Sequence, residues 1–189
     1  LESIDPTLVV YRAEATFVGL TVWDLYSALN SPAMVRRWNA ALDDATLIQD
    51  LGGQSAVWHV RYAPAWLAQA RDATLVQTAY QSPTSIHVFS FSADEHISEL
   101  PAPAPGTVRM QVDLCGWSIE ALSPTTVHVT LVEQSDPRGW LSKTRTPPQM
   151  IVAMAGAGEH VLRHGAPPCI SRLLNARVQT LAYGEDSFD

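Results

Sequence analysis

Residues 96–122 read HISELPAPAPGTVRMQVDLCGWSIEAL, and the fold can be predicted outward from this stretch. Its first half begins at His96 and contains three prolines and a closing glycine, namely Pro101, Pro103, Pro105 and Gly106. Proline fits neither a helix interior nor a central strand, so this half is predicted to be an exposed loop. Long loops without secondary structure are uncommon in compact domains and often serve as lids or binding loops. The loop is therefore the first candidate for a functional element.

The second half of the stretch predicts strands. Residues 107–113 and 117–122 are strand-like, and Cys115 with Gly116 between them predicts a tight turn. A hairpin is therefore expected directly after the loop.

Strand patterns dominate the rest of the first three quarters of the chain. Residues 8–18 predict a strand, after which Thr21 can cap a helix that ends before Pro32. Apolar residues then alternate from residue 45 to residue 91 and predict four strands joined by short turns, which is an antiparallel meander. A further strand is predicted over residues 126–134.

Helical patterns follow the strands. One helix is predicted over residues 148–163 and carries Met150 and Met154, and a second amphipathic helix is predicted nearer the C-terminus. Gly156 and Gly158 lie in the middle of the first helix, where each costs about 1 kcal/mol relative to alanine. They indicate either mobility or close packing against a strand, and the sequence does not favour one over the other.

Composition narrows the class of protein. The 189 residues are 47% hydrophobic and 16% charged, which is typical of a single globular domain with room for a core and a cavity. The net charge is −7 and the basic residues are scattered, which argues against nucleic-acid binding. No apolar run reaches the ~20 residues needed to span a bilayer, and no signal peptide is recognisable, so a cytoplasmic location is expected. The first residue is Leu1, which suggests a piece of a longer protein.

The two cysteines give little further information. Cys115 and Cys169 are far apart and belong to no CxxC pair, which argues against a zinc site. We expect both to be reduced, and the spacing supports a disulfide only weakly.

The predicted order of elements is that of the α+β helix-grip architecture, in which a curved antiparallel sheet wraps a long C-terminal helix around an internal tunnel. Short motifs along the chain also resemble those of START domains, the lipid-transfer modules related to the steroidogenic acute regulatory protein. These motifs are Trp38-Asn39, Arg71-Asp72, His96 with the prolines and Gly106-Thr107-Val108-Arg109, Gly116-Trp117-Ser118-Ile119, Asp136 with Gly139-Trp140-Leu141, and His164-Gly165-Ala166-Pro167-Pro168. The last of them resembles the tail of fungal members.

The resemblance implies a hydrophobic tunnel that holds one lipid. The loop at residues 96–106 and the helix at residues 148–163 would act as its lid, with Gly156 and Gly158 giving the helix its mobility. A lipid leaving water gains about 25 cal/mol per Å² of apolar surface, so such a tunnel needs few polar contacts. Transient contact with a membrane surface is implied too. Trp66 lies in an apolar loop that could dip into a membrane or pack back onto the sheet.

One pair of positions departs from the family pattern. Many START domains carry an acidic residue and an arginine on neighbouring strands inside the tunnel, and motif matching assigns these positions to His59 and Gln77. We expect both to hydrogen-bond a hydroxyl or carbonyl of the ligand, since an unpaired polar group in an apolar site costs about 1–3 kcal/mol. Other ligand contacts are expected at Arg61, Arg109, Met150 and Met154. Alternatively, His59 and Gln77 lie on the outer face beside Arg61, in water.

Motifs of several enzyme classes are missing from the sequence, which has no G-x-S-x-G elbow, P-loop or G-x-G-x-x-G. His160 and His164 have the spacing of two metal ligands on a helix, but a solvated helix face explains them without a third ligand. We therefore expect no catalytic residues, no metal and no cofactor. Two alternatives to lipid transfer stay open: an enzyme resembling a cyclase or hydrolase with His59 as general acid or base, and a sensing or scaffold domain.

Overall fold

The computed structural model describes residues 8–64, 69–93, 100–103, 105–139 and 147–165, with only the backbone described for 147–151. Within these ranges the chain forms eight strands and three helices. In chain order they are β1 (Tyr11–Val18), α1 (Val22–Leu29), α2 (Pro32–Val35), β2 (Leu42–Gly52), β3 (Ser55–Tyr62), β4 (Ala70–Gln81), β5 (Ser85–Ser92), β6 (Thr107–Arg109), β7 (Gln111–Ser123), β8 (Thr126–Asp136) and α3 (Pro147–His164). None of the helices in these ranges is long and apolar enough to cross a membrane.

The strands form a single sheet with the order β1-β8-β7-β5-β4-β3-β2. Every pairing along this path is antiparallel, which confirms the predicted meander from β2 to β5. The short β6 lies off the path and pairs in parallel with the first residues of β4.

One face of the sheet, which we call the inner face, packs against α1 and α3. Successive side chains of a strand point to opposite faces, so alternate residues of β1, β5, β7 and β8 reach this core. The cluster joins strand residues Ile86, Val88, Ile119, Val127, Val129 and Leu131 to helix residues Leu25, Leu29, Met154, Ala157 and Val161. A second cluster, of Leu42, Val60, Ala73, Leu75 and Val112, continues it towards β2. A curved antiparallel sheet against a C-terminal helix is the expected helix-grip fold.

Helix α1 begins where the sequence predicts. Thr21 accepts a hydrogen bond from the backbone N–H of Asp24 at 3.2 Å, and the Asp24 carboxylate accepts one from the Thr21 backbone N–H at 2.8 Å. This reciprocal capping satisfies two backbone donors that the first helical turn would otherwise leave unpaired. The predicted cap is confirmed.

The turn predicted at Cys115 and Gly116 is wrong. Both residues lie inside β7, which runs without interruption from Gln111 to Ser123, and the predicted hairpin does not form. A Cβ atom at position 116 would lie only 3.3 Å from Cδ1 of Phe89, whose ring packs over this point of the backbone. The glycine therefore permits close approach of a ring from β5 rather than a change of chain direction.

The two glycines of α3 also lie at close contacts. A Cβ atom on Gly158 would lie 2.6 Å from Cδ1 and 2.7 Å from Cζ of Phe17 on β1, well inside van der Waals contact. A Cβ atom on Gly156 would lie 3.3 Å from Cε3 of Trp38, which itself donates from Nε1 to the backbone oxygen of Ala28 at 3.0 Å. Close packing is therefore a sufficient reason for a glycine at each position.

Candidate ligand-binding site

Three neighbouring strands place polar side chains together on the inner face. On β8, Val127, Val129 and Leu131 point into the core, and Glu133 continues the same alternation. In register, Glu133 lies opposite Tyr11 of β1 and Cys115 of β7. The sheet thus carries a carboxyl group, a phenol and a thiol side by side on its concave side.

Tyr62 of β3 joins this group across the sheet. It follows Trp58 and Val60 on the inner face, and its pKa is raised by burial and further by the nearby Cys115 and Glu133. We call Tyr62, Cys115 and Glu133 the inner polar cluster.

The inner polar cluster is only partly covered by the part of the chain that the structure describes. Burial raises the pKa of all three groups, because surrounding protein atoms disfavour their charged forms. All three nevertheless keep accessible surface and are only partly buried by area. The three side chains therefore lie among protein atoms on the inner face without being fully packed.

Glu133 is the most distinctive member of the cluster. Its Oε1 accepts a hydrogen bond from Oγ of Ser135 at 3.0 Å. Burial raises the pKa of Glu133, although this hydrogen bond acts in the opposite direction. No Lys, Arg or His pairs with it in the part of the chain that the structure describes. The carboxyl group therefore holds its proton to higher pH than an exposed glutamate does, and a protonated carboxyl can both donate and accept.

Arg71 and Asp72, at the start of β4, anchor two loops. Arg71 donates from Nε to the backbone oxygen of Pro137 at 2.8 Å and from Nη2 to that of Arg138 at 3.2 Å, just beyond β8. Asp72 accepts two hydrogen bonds from Arg109, and Arg109 also donates from Nη2 to the backbone oxygen of Pro101 at 2.8 Å. Because adjacent residues of a strand point to opposite faces, this pair can hold one loop on each side of the sheet.

The carboxylate of Asp72 stays ionised. Burial by itself would raise its pKa, but the hydrogen bonds from Arg109 and His59, together with their charges, hold it below its usual range. Nε2 of His59 lies 3.0 Å from Oδ2 of Asp72.

The pair His59 and Gln77 does not form as the sequence predicts. On β3 and β4, His59 is in register with Thr74 and points outward, whereas Gln77 is in register with Ala56 and points inward. His59 binds Asp72, and Nε2 of Gln77 donates to the backbone oxygen of Leu29 at 3.1 Å, at the end of α1. The two side chains lie on opposite faces and cannot contact the same head group.

The other predicted contacts are scattered. Arg61 is on the outer face in an exposed ion pair with Asp43, 2.7 Å apart, and Arg109 is held by Asp72. Met154 is buried against the main core, 3% exposed. The side chain of Met150 lies outside the described residues.

The predicted lid is described only in part. The backbone oxygen of Pro101 is anchored by Arg109, while Pro103, Pro105 and Gly106 are exposed. Three further residues of interest, His96, Trp66 and Cys169, lie outside the described residues.

The rings of His160 and His164 have centroids 5.0 Å apart. Across the described ranges, no group of three histidine, cysteine or acidic side chains could hold a metal ion.

Sequence analysis missed Glu133, although a signal for it exists. The alternation Val127, Val129, Leu131 continues to position 133, so an acidic residue is directed towards the core. An acidic residue at an inward position of an otherwise apolar strand is a reason to expect a functional role.

One concavity lies on the outer face. It is an open groove of about 150 Å³ between Phe89, Leu114, Gly116 and Val132. Pockets that hold small-molecule ligands usually enclose about 300–1,000 Å³. The groove is therefore too small and too open to be the main binding site.

Comparison with known proteins assigns the family. The family model "START domain" matches residues 6–152. The sequence gives no significant match among curated proteins.

Solved structures share the fold at low sequence identity. Human STARD10 superposes with a TM-score of 0.75 and 18% identity, covering 85% of this chain and 66% of that chain. Human StAR-related lipid transfer protein 5 gives a TM-score of 0.72 and 19% identity, covering 82% of this chain and 76% of that one. The Zhui aromatase/cyclase from Streptomyces sp. R1128 superposes with a TM-score of 0.53 and 10% identity, covering 85% of this chain and 100% of that one.

The chain spans just under two thirds of the length of STARD10. Identities this low establish the common fold only, whereas the family model covers most of the sequence. The chain therefore belongs to the START domain family, whose members are in general lipid-binding domains.

Proposed function

We propose that this domain binds one lipid molecule between the inner face of the sheet and α3, and that it transfers or senses that lipid. The observation that carries the proposal is the inner polar cluster, whose side chains are surrounded by protein yet remain accessible. An apolar cavity with a few polar groups suits a ligand with a long apolar body and a small polar end.

Helix α3 would close the binding space. Met154, Ala157 and Val161 are buried against α1 and the sheet, so loosening of these contacts would open the space between α3 and the sheet. The loop segment at Pro101 and the segment at Pro137 are both tied to the start of β4, which makes them natural fixed points for such a movement.

Native mass spectrometry tests lipid binding directly. Protein purified under non-denaturing conditions should carry a lipid adduct at one-to-one stoichiometry, and extraction should identify the lipid. Cys115→Phe should fill the internal space and remove the adduct, whereas Thr130→Phe, on the outer face of the neighbouring strand, should keep it. Equal adducts in both folded variants would contradict an internal site, and a wild-type protein that binds no lipid would contradict the proposed function.

Transfer between vesicles separates transport from sensing. We propose a cytoplasmic protein that touches membranes briefly, with Trp66 as a candidate contact. The net charge of −7 gives no attraction to anionic lipids, so transfer of a fluorescent lipid should depend little on anionic lipid or salt. Binding without transfer would favour the sensing alternative.

An enzymatic function has less support. The catalytic alternative relied on His59, which points to the outer face and is engaged by Asp72. The likeness to a cyclase concerns the fold, and we propose a non-catalytic domain.

A further inference from the structure

We propose that Glu133 determines which lipids this domain accepts: its carboxyl group hydrogen-bonds the hydroxyl or carbonyl group of an uncharged lipid, and the site rejects anionic head groups. The inference rests on the proposed function, because it assumes that a lipid occupies the internal space.

The position of Glu133 leaves one carboxyl oxygen available. Ser135 occupies Oε1, and within the described ranges Oε2 has no hydrogen-bond partner. The residue lies on the inner face of the sheet and is only partly buried. A ligand with one small polar group can complete the hydrogen bonding of the carboxyl group while its apolar body lies along the core.

Among the described residues, the groups that face Glu133 are polar but supply no positive charge. Tyr11 on β1, Cys115 on β7 and Tyr62 on β3 face Glu133 from the elements around it. On α3, the described residues that face the sheet are apolar, namely Met154, Ala157 and Val161.

Arg71, a described inner-face cation of the same sheet, is already engaged. Arg71 lies opposite Tyr62 in register, but its guanidinium donates to the backbone oxygens of Gln69, Pro137 and Arg138. Within the described ranges, a buried phosphate, sulfate or carboxylate would therefore lack a partner beside Glu133, and burying an unpaired charge is strongly unfavourable.

The protonation of Glu133 favours hydroxyl and carbonyl groups. Burial raises the pKa of Glu133, so the protonated form persists to higher pH than in an exposed glutamate. A protonated carboxyl donates to a carbonyl and can both donate to and accept from a hydroxyl. An amine would instead require Glu133 to ionise and form a buried ion pair, and this possibility is one outcome of the test.

Three probes with the same tail separate these cases: hexadecanol, hexadecyl sulfate and hexadecylamine. Each is titrated into the delipidated wild-type protein, and the bound fraction is measured by native mass spectrometry. Hexadecanol should bind at least tenfold more tightly than hexadecyl sulfate and more tightly than the amine. Equal binding of the alcohol and the sulfate, or preference for the amine, would overturn the proposal while leaving lipid binding intact. Failure of all three probes to bind would count against the proposed function itself.

Variants then assign the preference to Glu133. Glu133→Gln, which keeps hydrogen bonding, should bind hexadecanol within about threefold of wild type, whereas Glu133→Leu should lose about tenfold. Glu120→Gln, on the exposed outer face, serves as the control and should bind as wild type does. Circular dichroism and thermal melting show that each variant is folded. An unchanged preference for hexadecanol in folded Glu133→Leu would refute the assignment.

A pH series gives an independent readout. Hexadecanol affinity of the wild type should fall as pH rises and Glu133 ionises, while Glu133→Gln should show no such decline. The same decline in both proteins would assign the titration to another group and contradict the proposal.

Discussion

Arg109 holds the buried carboxylate of Asp72 with two hydrogen bonds, from Nε to Oδ1 and from Nη2 to Oδ2, each 2.9 Å long. Asp72 has 0% of its surface exposed, and the same guanidinium also binds the backbone oxygen of Pro101. A planar guanidinium matches a carboxylate in this two-point geometry, which lysine cannot reproduce. The position of the loop segment at Pro101 is therefore coupled to the start of β4.

Removing Arg109 should destabilise the domain strongly. Arg109→Ala leaves a buried carboxylate without its main partner, which typically costs about 3–5 kcal/mol. The free energy of unfolding, measured by urea titration, should fall by about 3 kcal/mol. Arg61→Ala is the matched control, because Arg61 and Asp43 form an exposed pair that should contribute less than about 1 kcal/mol. Similar losses in the two variants would show that burial of Asp72 does not govern the interaction.

Glu133 should make the stability of the domain depend on pH. Its pKa is raised in the folded state, so the folded protein binds more protons than the unfolded chain. Its contribution is fully present below the pKa of the unfolded glutamate and is lost as pH rises through the folded-state pKa. Thermal unfolding of ligand-free protein from pH 4.5 to 8 should show this decline, and Glu133→Gln should reduce it. Glu120→Gln should leave the pH profile unchanged, and a decline that is identical in wild type and Glu133→Gln would exclude Glu133 as its source.

Gly158 should resist substitution because of Phe17. Gly158→Ala should destabilise the domain despite the better helix propensity of alanine, since its Cβ would overlap the Phe17 ring. The effect of Gly158→Ala on the free energy of unfolding should change sign once the Phe17 ring is removed. In a Phe17→Ala background, Gly158→Ala should stabilise by up to about 1 kcal/mol, the helix-propensity difference between the two residues. Chemical denaturation of the four proteins measures this cycle, and the same effect of Gly158→Ala in both backgrounds would contradict the packing explanation.

Gln77 should contribute to the stability of the domain and not to ligand binding. Gln77→Leu removes the donor to the backbone oxygen of Leu29 and leaves a buried carbonyl unpaired, at a cost of about 1–3 kcal/mol. Lipid occupancy measured by native mass spectrometry should stay unchanged, because the amide nitrogen already has a protein partner. Gln49→Leu, at an exposed position of β2, provides the control for stability. A loss of occupancy without a loss of stability would restore the ligand contact predicted from the sequence.

Local chemistry was sufficient to predict much of the fold. Three predictions are confirmed within a few residues: the strands between residues 45 and 91, the cap at Thr21, and the helix that becomes α3. These features depend on side-chain periodicity and on contacts between residues close in sequence, which a sequence displays directly. The ordered motifs that resemble START domains added the family.

The tertiary structure decided which side chains share a space. In the sequence Gly116 predicts a turn, but in the structure it lets the Phe89 ring pack closely against β7. His59 and Gln77, predicted to share a site, point to opposite faces of the sheet. Alternation shows that neighbouring residues of a strand point to opposite sides, but not which side a polar residue takes or what it meets there. Strand register and sheet curvature set those partners through contacts between distant segments, and they place Glu133 beside Cys115 and Tyr62 within the sheet.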